Sequence, residues 1–305
     1  MTTLRITIGE RTKSWQKTSR RWMQRLSKDT IALISFSFLV LLLVNCLFTP
    51  FLTPTDPTLQ NLPMRLMPPA WAGGTYEHLL GTDGLGRDLL SRLMYGARYS
   101  MLIAASATIL ACCVGTTLGL IAGYRGGWVD TIIMRIVDIQ MSFTGMMLTM
   151  IIVVIIGPSV STLILVLGLI SWVLYTRVIR AATLQLRDIQ FVEAAKSLGC
   201  TNREIITRHI LPNVLAIIIS MIVLETGRLM VVESSLSFLG FGVQPPDITW
   251  GLQVAEGREY IRNSWWLTTF PGLAITVTVL AINFVGIWLR SISHPFQRQF
   301  GMGPK

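Results

Sequence analysis

Charged side chains are scarce in this sequence of 305 residues. Asp, Glu, Lys and Arg together make up 14% of it, whereas 51% of the residues are hydrophobic and the mean hydropathy is +0.57. Ordinary soluble domains contain about 25% charged residues. The composition therefore excludes an ordinary soluble domain and favours a protein that folds in a lipid bilayer.

Histidine and cysteine are also few. The three histidines are scattered over positions 78, 209 and 294, which is not the spacing of a metal-binding motif. Three of the four cysteines lie in apolar runs and Cys200 lies in a polar loop. No pair therefore has the spacing of a disulfide framework or a zinc site. We predict no metal site and no cofactor.

Catalytic motifs are missing as well. The sequence contains no Gly-x-x-x-x-Gly-Lys-Ser/Thr loop, the motif that holds nucleotide phosphates in many ATPases. It also shows no cluster of His, Asp and nucleophilic side chains at one membrane depth, which a membrane-embedded enzyme needs. We predict that the chain is not an enzyme and that ATP hydrolysis, where it is needed, takes place in partner subunits.

Long apolar runs are abundant, and a membrane-spanning helix needs about 20 such residues. Six segments qualify: 31–48, 100–123, 132–156, 159–176, 213–232 and 269–289. They predict an all-α integral membrane protein with six transmembrane helices. No cleavage site of the signal-peptide kind follows the first segment, so we expect it to stay as the first transmembrane helix.

The basic residues outside these segments are distributed unevenly. Eighteen Lys and Arg lie in the two terminal segments and the alternate loops, and a nineteenth, Arg135, lies at the start of the third segment, against six in the remaining loops. Loops rich in Lys and Arg stay on the cytoplasmic side. This predicts cytoplasmic termini, with a basic amphipathic arm at 1–30, a periplasmic segment at 49–98, a second external loop at 233–268 and a tail at 291–305. The net charge of +10 is therefore a topology signal, and no nucleic-acid partner is expected.

Small residues recur at every fourth position of the second span. They are Ala107, Ala111, Gly115, Gly119 and Gly123, and this spacing places them on one helix face. Because lipid gives little hydrophobic drive for helix pairing, small residues favour close backbone contact instead. We expect this strip to pack against a neighbouring helix, either within the chain or in another subunit.

The segment at 190–212, between the fourth and fifth spans, carries strong local signals. Gly199 suits the left-handed end of a short helix, Thr201 or Asn202 can begin a second one, and Pro212 precedes the next span. These signals predict a helix-turn-helix elbow parallel to the membrane. From local chemistry alone, the elbow is either a docking surface for a cytoplasmic partner or a solvated loop.

The spacing within this elbow resembles the cytoplasmic signature of ABC importer permeases. The matching residues are Glu193, Ala194, Ala195, Gly199, Leu211 and Pro212. The resemblance implies a type I permease core at residues 99–290, whose first short helix docks in a groove of an ATPase. It also implies a bacterial inner-membrane location and three kinds of partner: a second homologous permease subunit, two ABC ATPase subunits and a periplasmic substrate-binding protein.

A glycine-rich octet at 81–88 resembles the dipeptide, oligopeptide and nickel branch of that family. Its candidate residues are Gly81, Thr82, Asp83, Gly86, Arg87 and Asp88. The resemblance implies peptides or nickel as the transported solute. Local chemistry alone lets the two aspartates of the octet cap a helix or pair with Arg87, and lets Asp130 cap the third span. The chain departs from the family pattern at Thr144, which replaces a helix-kinking proline, and at 286–291, which lacks acidic residues.

Two ionisable residues, Glu225 and Arg228, interrupt the fifth span. A single charge at the bilayer centre costs about 2.5 to 3.5 kcal/mol on insertion scales. Three residues apart on a helix, the two can neutralise each other, or they can line a pathway. A secondary transporter that couples to ions through this pair is the alternative function, although the paired broken helices typical of such transporters are not found.

Overall fold

A computed structural model describes residues 29–293 of the chain. The arm at 1–30 and the tail at 291–305, both predicted from sequence, lie almost wholly outside these residues. The helices, in chain order, are α1 Thr30–Leu52, α2 Leu89–Arg125, α3 Gly127–Met141, α4 Gly145–Ile156, α5 Val160–Arg187, α6 Gln190–Ser197, α7 Asn202–Phe238, α8 Trp250–Gly257 and α9 Trp266–Ser293.

Five of these helices are long and apolar enough to cross a membrane: α1, α2, α5, α7 and α9. The pair α3 and α4 makes a sixth span if the two are counted as one. The prediction of an all-α integral membrane protein is thereby confirmed. No strand of a β-sheet occurs within the described residues.

The third predicted span, 132–156, is not one continuous helix. It is broken between α3 and α4, which meet at an angle of 84°, although Thr144 has replaced the proline expected there. The Gln140 side chain holds the end of α3 against α5, because its Nε2 donates to the Ile170 carbonyl at 2.8 Å and its Oε1 accepts from Trp172 Nε1 at 2.8 Å. Thr144 then adopts an extended backbone, so tertiary contacts produce the bend without proline.

Two other spans are each continuous with a helical segment that was predicted to be separate. The amphipathic stretch after residue 88 and the second span form one helix, α2, whose first turn is capped by the Asp88 carboxylate through the Ser91 amide at 2.8 Å. The second elbow helix and the fifth span likewise form one helix, α7. Residues 89–98 therefore belong to the helical bundle rather than to the external loop.

The core of the bundle lies where α2, α5 and α7 meet. One cluster of fully buried side chains includes Ile103, Leu167 and Leu229, and a second includes Tyr175 and Ile210. Helix α1 packs only at the side of α2 and α9, and just 11% of its most apolar window is buried. Because α1 is so apolar and so exposed, it presents most of its surface to lipid.

The loop at 233–268, predicted to be external, folds back onto the bundle. Tryptophans in such loops commonly lie at the headgroup level, but α8 buries Trp250 to 2% exposure, with its indole Nε1 donating to the Leu93 carbonyl at 2.8 Å. The indole N–H thus satisfies an acceptor in the first turns of α2 instead of meeting water. Trp265, 45% exposed, is the tryptophan of this loop that is available to an interface.

Candidate functional site

The predicted elbow contains a short amphipathic helix, α6. Its inner face consists of Val192 and Ala195, which pack with Ile205 and Ile210 of α7. Its outer face leaves Glu193 and Ala194 exposed. Ala195, which the signature marks as a docking residue, therefore points into the chain itself, and its small size fits the packing under α6.

The turn after α6 explains the glycine. Gly199 has a φ of +80°, a left-handed conformation that costs other residues about 1 to 2 kcal/mol. Nothing lies within 4 Å of a Cβ added there, so backbone geometry alone requires glycine. The neighbouring Leu198 is 85% exposed, a bare apolar residue that sequence reasoning passed over.

Helix α7 begins with a capping box, in which Thr201 and Glu204 exchange hydrogen bonds between side chain and backbone. A stretch of wider π-helix follows at Ile205–Ile210. The regular helix starts at Leu211, with Pro212 in its first turn, where the missing N–H is tolerated. Leu211 is half-buried and Pro212 is exposed, and Pro212 lies inside α7, at the point where its π-helical stretch gives way to regular α-helix.

The strip of small residues on α2 faces α5. Ala107 and Ala111 are fully buried. A Cβ added at Gly115 would overlap the Trp172 carbonyl oxygen, and one added at Gly119 would lie 2.8 Å from the Thr176 carbonyl oxygen. Gly123 approaches the Thr183 side chain in the same way. The backbones of α2 and α5 thus touch along the strip, which makes it a seam within the chain.

The glycine-rich octet forms a tight loop over the N-terminal end of α2. The Asp83 carboxylate accepts hydrogen bonds from the amides of Leu85 and Arg87 at 2.8 and 2.9 Å and from Arg87 Nε at 2.6 Å. A Cβ on Gly86 would overlap the Asn61 carbonyl oxygen, and one on Gly81 would meet the Met67 carbonyl oxygen at 2.5 Å.

Other members of the octet tie the loop to its surroundings. The Thr82 hydroxyl donates to the Met64 carbonyl at 2.5 Å and accepts from the Met67 amide at 2.9 Å. Asp88 caps α2 and also contacts His78 Nδ1 at 3.0 Å. The two aspartates therefore cap and pair as their local chemistry predicted, which accounts for each octet residue structurally.

Sequence reasoning did not find the partners of this loop. Arg92, only 2% exposed, lies 3.4 Å from Asp83 Oδ2 and 2.5 Å from Glu256 Oε2 of α8. Arg87 also reaches Glu256, at 3.5 Å. Gln253 of α8 donates to the Arg92 carbonyl at 2.8 Å. These contacts join the loop before α2 to α8 in the loop at 233–268, and no spacing along the chain could have revealed them.

Asp130 does not cap the third span by itself. Its carboxylate instead forms a two-point ion pair with Arg180 of α5, at 2.5 and 2.6 Å. The pair fixes the start of α3 against α5 near the end of the glycine strip. The expectation of a capping role is corrected, because Gly126 occupies the N-cap of α3 without a side-chain hydrogen bond and Asp130 lies within the first turn of the helix.

Glu225 and Arg228 form an ion pair on α7, at 2.9 Å from Nε to Oε2 and at 2.5 Å from Nη2 to Oε1. Arg228 Nη2 also donates to Ser171 of α5 at 3.0 Å. Glu225 is buried, whereas the Arg228 side chain is 52% exposed. Arg228 is thus paired with Glu225 and is also half-exposed on the surface of the chain.

No group of three or more His, Cys, Asp or Glu side chains is placed to hold a metal ion within residues 29–293.

Comparisons with known proteins agree with this architecture. Residues 115–299 match the family described as the binding-protein-dependent transport system inner membrane component, and residues 17–69 match the N-terminal transmembrane domain of oligopeptide transport permease C. The chain is 38% identical to the dipeptide transport system permease protein DppC of Haemophilus influenzae, over 88% of this chain and 91% of that protein. It is 36% identical to the probable D,D-dipeptide transport system permease protein DdpC of Escherichia coli, over 90% of each.

Among solved structures, the fold is similar to that of the MetNI methionine ABC transporter in an inward-facing conformation. The TM-score is 0.56 with 18% identity, over 68% of this chain and 98% of the other. This likeness confirms the predicted permease fold. The chain therefore belongs to the family of binding-protein-dependent transport system inner membrane components, as a non-enzymatic permease subunit of an ABC importer whose ATP hydrolysis takes place in a partner ATPase.

Proposed function

We propose that this chain imports peptides across the inner membrane of a bacterium, together with a second permease subunit, two ATPase subunits and a periplasmic binding protein. The observation that carries the proposal is the similarity, over nine-tenths of the chain, to permeases named for dipeptide transport. Nickel, the other solute implied by the octet, has less support, because the relatives cited above are named for dipeptides and not for nickel.

Uptake measurements test the solute. The chain and its partners are expressed in cells that lack their own peptide importers, and entry of a labelled dipeptide is compared with entry of nickel. We expect ATP-dependent dipeptide uptake that is lost when either permease or the binding protein is omitted. Uptake of nickel without peptide, or uptake by this chain alone, would contradict the proposal. Uptake by this chain alone would support the alternative function, a secondary transporter.

The elbow is the proposed contact with the ATPase. Glu193, Ala194 and Leu198 form its outer face, combining a charge, a flat surface and an exposed apolar side chain. A contact of this kind transmits ATPase closure to α7, because α6 packs directly on the first turns of that helix. Movement of the elbow then favours the outward- or inward-open arrangement of the bundle.

Gly199→Val tests the elbow. A β-branched residue avoids the left-handed conformation at this position, so α6 is displaced although no side chain blocks the substitution. We expect uptake to fall at least about tenfold, equivalent to about 1.4 kcal/mol, while membrane insertion persists. Glu193→Ala is the milder control, because one exposed interfacial charge contributes less than the shape of the whole contact. Normal uptake and normal copurification of the ATPase with Gly199→Val would show that the elbow is a solvated loop.

Topology is tested by labelling single cysteines in a cysteine-free background. Tyr76 is 88% exposed in the first external loop and Leu198 is 85% exposed in the elbow, so both positions are accessible. We expect an impermeant thiol reagent to label Tyr76→Cys but not Leu198→Cys in intact cells, following the excess of basic residues on the cytoplasmic side. Labelling of Leu198→Cys in intact cells would reverse the orientation.

A further inference from the structure

Arg228 is a half-exposed arginine in the middle of the bundle. It lies about three turns, or about 15 Å, before the end of α7 at Phe238. Thr226, two residues before Arg228, bonds Thr108 at 3.3 Å, near the midpoint of α2. Arg228 therefore lies well inside the membrane-spanning part of α7, although 52% of its side chain is exposed on the surface of the subunit.

The guanidinium does not reach for the nearer membrane surface. Both bonds to Glu225 pull it back along α7, away from Phe238, and the bond to Ser171 ties it to the middle of α5. A long side chain often escapes the bilayer centre by extending towards the interface, but here three hydrogen bonds prevent that escape. The exposed part of Arg228 stays within the membrane-spanning part of the bundle.

Lipid is a poor environment for this group. Arg228 Nη1 carries two N–H groups, and neither donates to any residue of the part of the chain that the structure describes. Unbonded donors in hydrocarbon cost several kcal/mol each. Pairing with Glu225 cancels the net charge without supplying acceptors for Nη1. Water supplies such acceptors, and inside a transporter of this kind water belongs to a translocation path.

We propose that Arg228 borders the aqueous translocation path and that its Nη1 N–H groups bind the terminal carboxylate of a passing peptide. The inference rests on the proposed import of peptides. A guanidinium and a carboxylate match in geometry, whereas the Glu225 partner makes the pair neutral and so weakens the attraction. Weak binding suits a path, because the solute must be able to leave again.

Accessibility tests the first half of the inference in the assembled transporter in nanodiscs, with Cys46, Cys112, Cys113 and Cys200 replaced. Removing Arg228 alone would leave Glu225, 4% exposed, as an unpaired buried charge. The variant is therefore Glu225→Gln/Arg228→Cys, treated with the cationic reagent trimethylammonium-ethyl methanethiosulfonate.

Three single-cysteine controls define the fastest and the slowest labelling rates that are expected. Tyr76→Cys provides the fully aqueous rate. Leu41→Cys, 69% exposed at the midpoint of the lipid-facing α1, and Leu229→Cys, 1% exposed beside Arg228, provide the unreactive limits. We expect position 228 to react within about tenfold of Tyr76→Cys, since charged thiol reagents need water around the cysteine. A rate equal to that of Leu41→Cys would overturn the inference and place Arg228 in lipid or in a dry subunit contact.

Protection tests the carboxylate. Val231, 44% exposed and one turn from Arg228 on the same face, is replaced by cysteine while Arg228 is kept. Millimolar alanyl-alanine, added without binding protein, should slow labelling at least about threefold, and alanyl-alanine amide should not, because only a carboxylate pairs with the guanidinium. The protection should vanish in the background Glu225→Gln/Arg228→Gln.

Equal protection by the acid and the amide, or protection by neither, would overturn the carboxylate site. Failure of the Glu225→Gln/Arg228→Gln variant to assemble does not affect this decision. The comparison of alanyl-alanine with its amide is made in Val231→Cys, which keeps Glu225 and Arg228. Dipeptide uptake by the unaltered transporter is measured in parallel. If that uptake is absent, the proposed function fails. If it is present and protection is absent, only this inference fails.

Discussion

The two halves of α2 are held by different interactions. From Ala107 to Gly123, small residues allow the backbone of α2 to touch the backbone of α5. At the external end, Arg92 is instead enclosed by the carboxylates of Asp83 and Glu256. One half is fixed by steric fit and the other by paired charges.

The difference follows from the surroundings of each half. Deep in the bilayer, lipid tails are as apolar as the side chains, so helix association depends on close packing. At the external end, loops rich in polar groups can surround a guanidinium and satisfy its donors. The half of α2 from Ala107 to Gly123 should therefore tolerate little added volume. The N-terminal half around Arg92 should tolerate little loss of charge.

Gly115→Leu should have the largest effect. Even a Cβ at this position overlaps the main chain of Trp172, and a backbone cannot move aside as a side chain can. The cost should exceed the about 1 to 3 kcal/mol of ordinary overpacking, and assembled protein should be undetectable by size-exclusion chromatography. Ile109→Leu, on the exposed face of α2, is the control and should assemble normally. Equal amounts of assembled protein from the two variants would refute the seam.

Arg92→Leu should have the next largest effect. It removes one of the two arginines that the carboxylates of Asp83 and Glu256 share, and losing one partner of a buried pair costs about 3 kcal/mol at the lower limit. We expect the lower limit because Arg87 still contacts both acids. The measurement is the midpoint of thermal unfolding in detergent. An unchanged unfolding midpoint would mean that packing alone holds the N-terminal half of α2 in place.

Gly86→Ala should destabilise the octet loop by about 2 kcal/mol, since a left-handed alanine alone costs about 1 to 2 kcal/mol. Gly86 has a φ of +73°, and its Cβ would also overlap the Asn61 carbonyl oxygen. Gly73→Ala is matched for backbone only, because its φ is +98° and nothing lies within 4 Å of its added Cβ. Limited proteolysis should cut the Gly86→Ala loop faster than the Gly73→Ala loop. Equal cleavage rates would show that overlap with the Asn61 carbonyl oxygen does not contribute to the requirement for Gly86.

Glu256→Gln should have the smallest effect, at most about 1 kcal/mol, as expected for a partly exposed ion pair. The Glu256 side chain is 33% exposed, and Arg92 keeps Asp83 as a partner. The unfolding midpoint of this variant should thus lie much closer to that of the unaltered protein than the midpoint of Arg92→Leu does. A larger shift than that of Arg92→Leu would mean that the carboxylate, not the buried guanidinium, organises this end.

Features that repeat along one helix could be predicted from the sequence. Five single-helix spans, the strip from Ala107 to Gly123 and the turn at Gly199 depend on local periodicity or on one backbone conformation, so neighbouring residues suffice to reveal them. The bend at 142–144 could not, because Gln140 causes it through contacts with α5. The burial of Trp250 was likewise hidden, since a tryptophan in an external loop usually lies at the interface.

The sequence by itself determined that this is a multi-span membrane protein, which helix face carries the small residues, and which loop bears the permease signature. Only the tertiary structure decided that α5 receives the strip, that Arg92 pairs with Glu256 across 164 positions of the chain, and that Ser171 ties Arg228 to α5. The composition and residue spacing of a segment determine only the properties of that segment. The partner of a side chain on another helix depends on the rotation and depth of both helices, which are set only when they pack together.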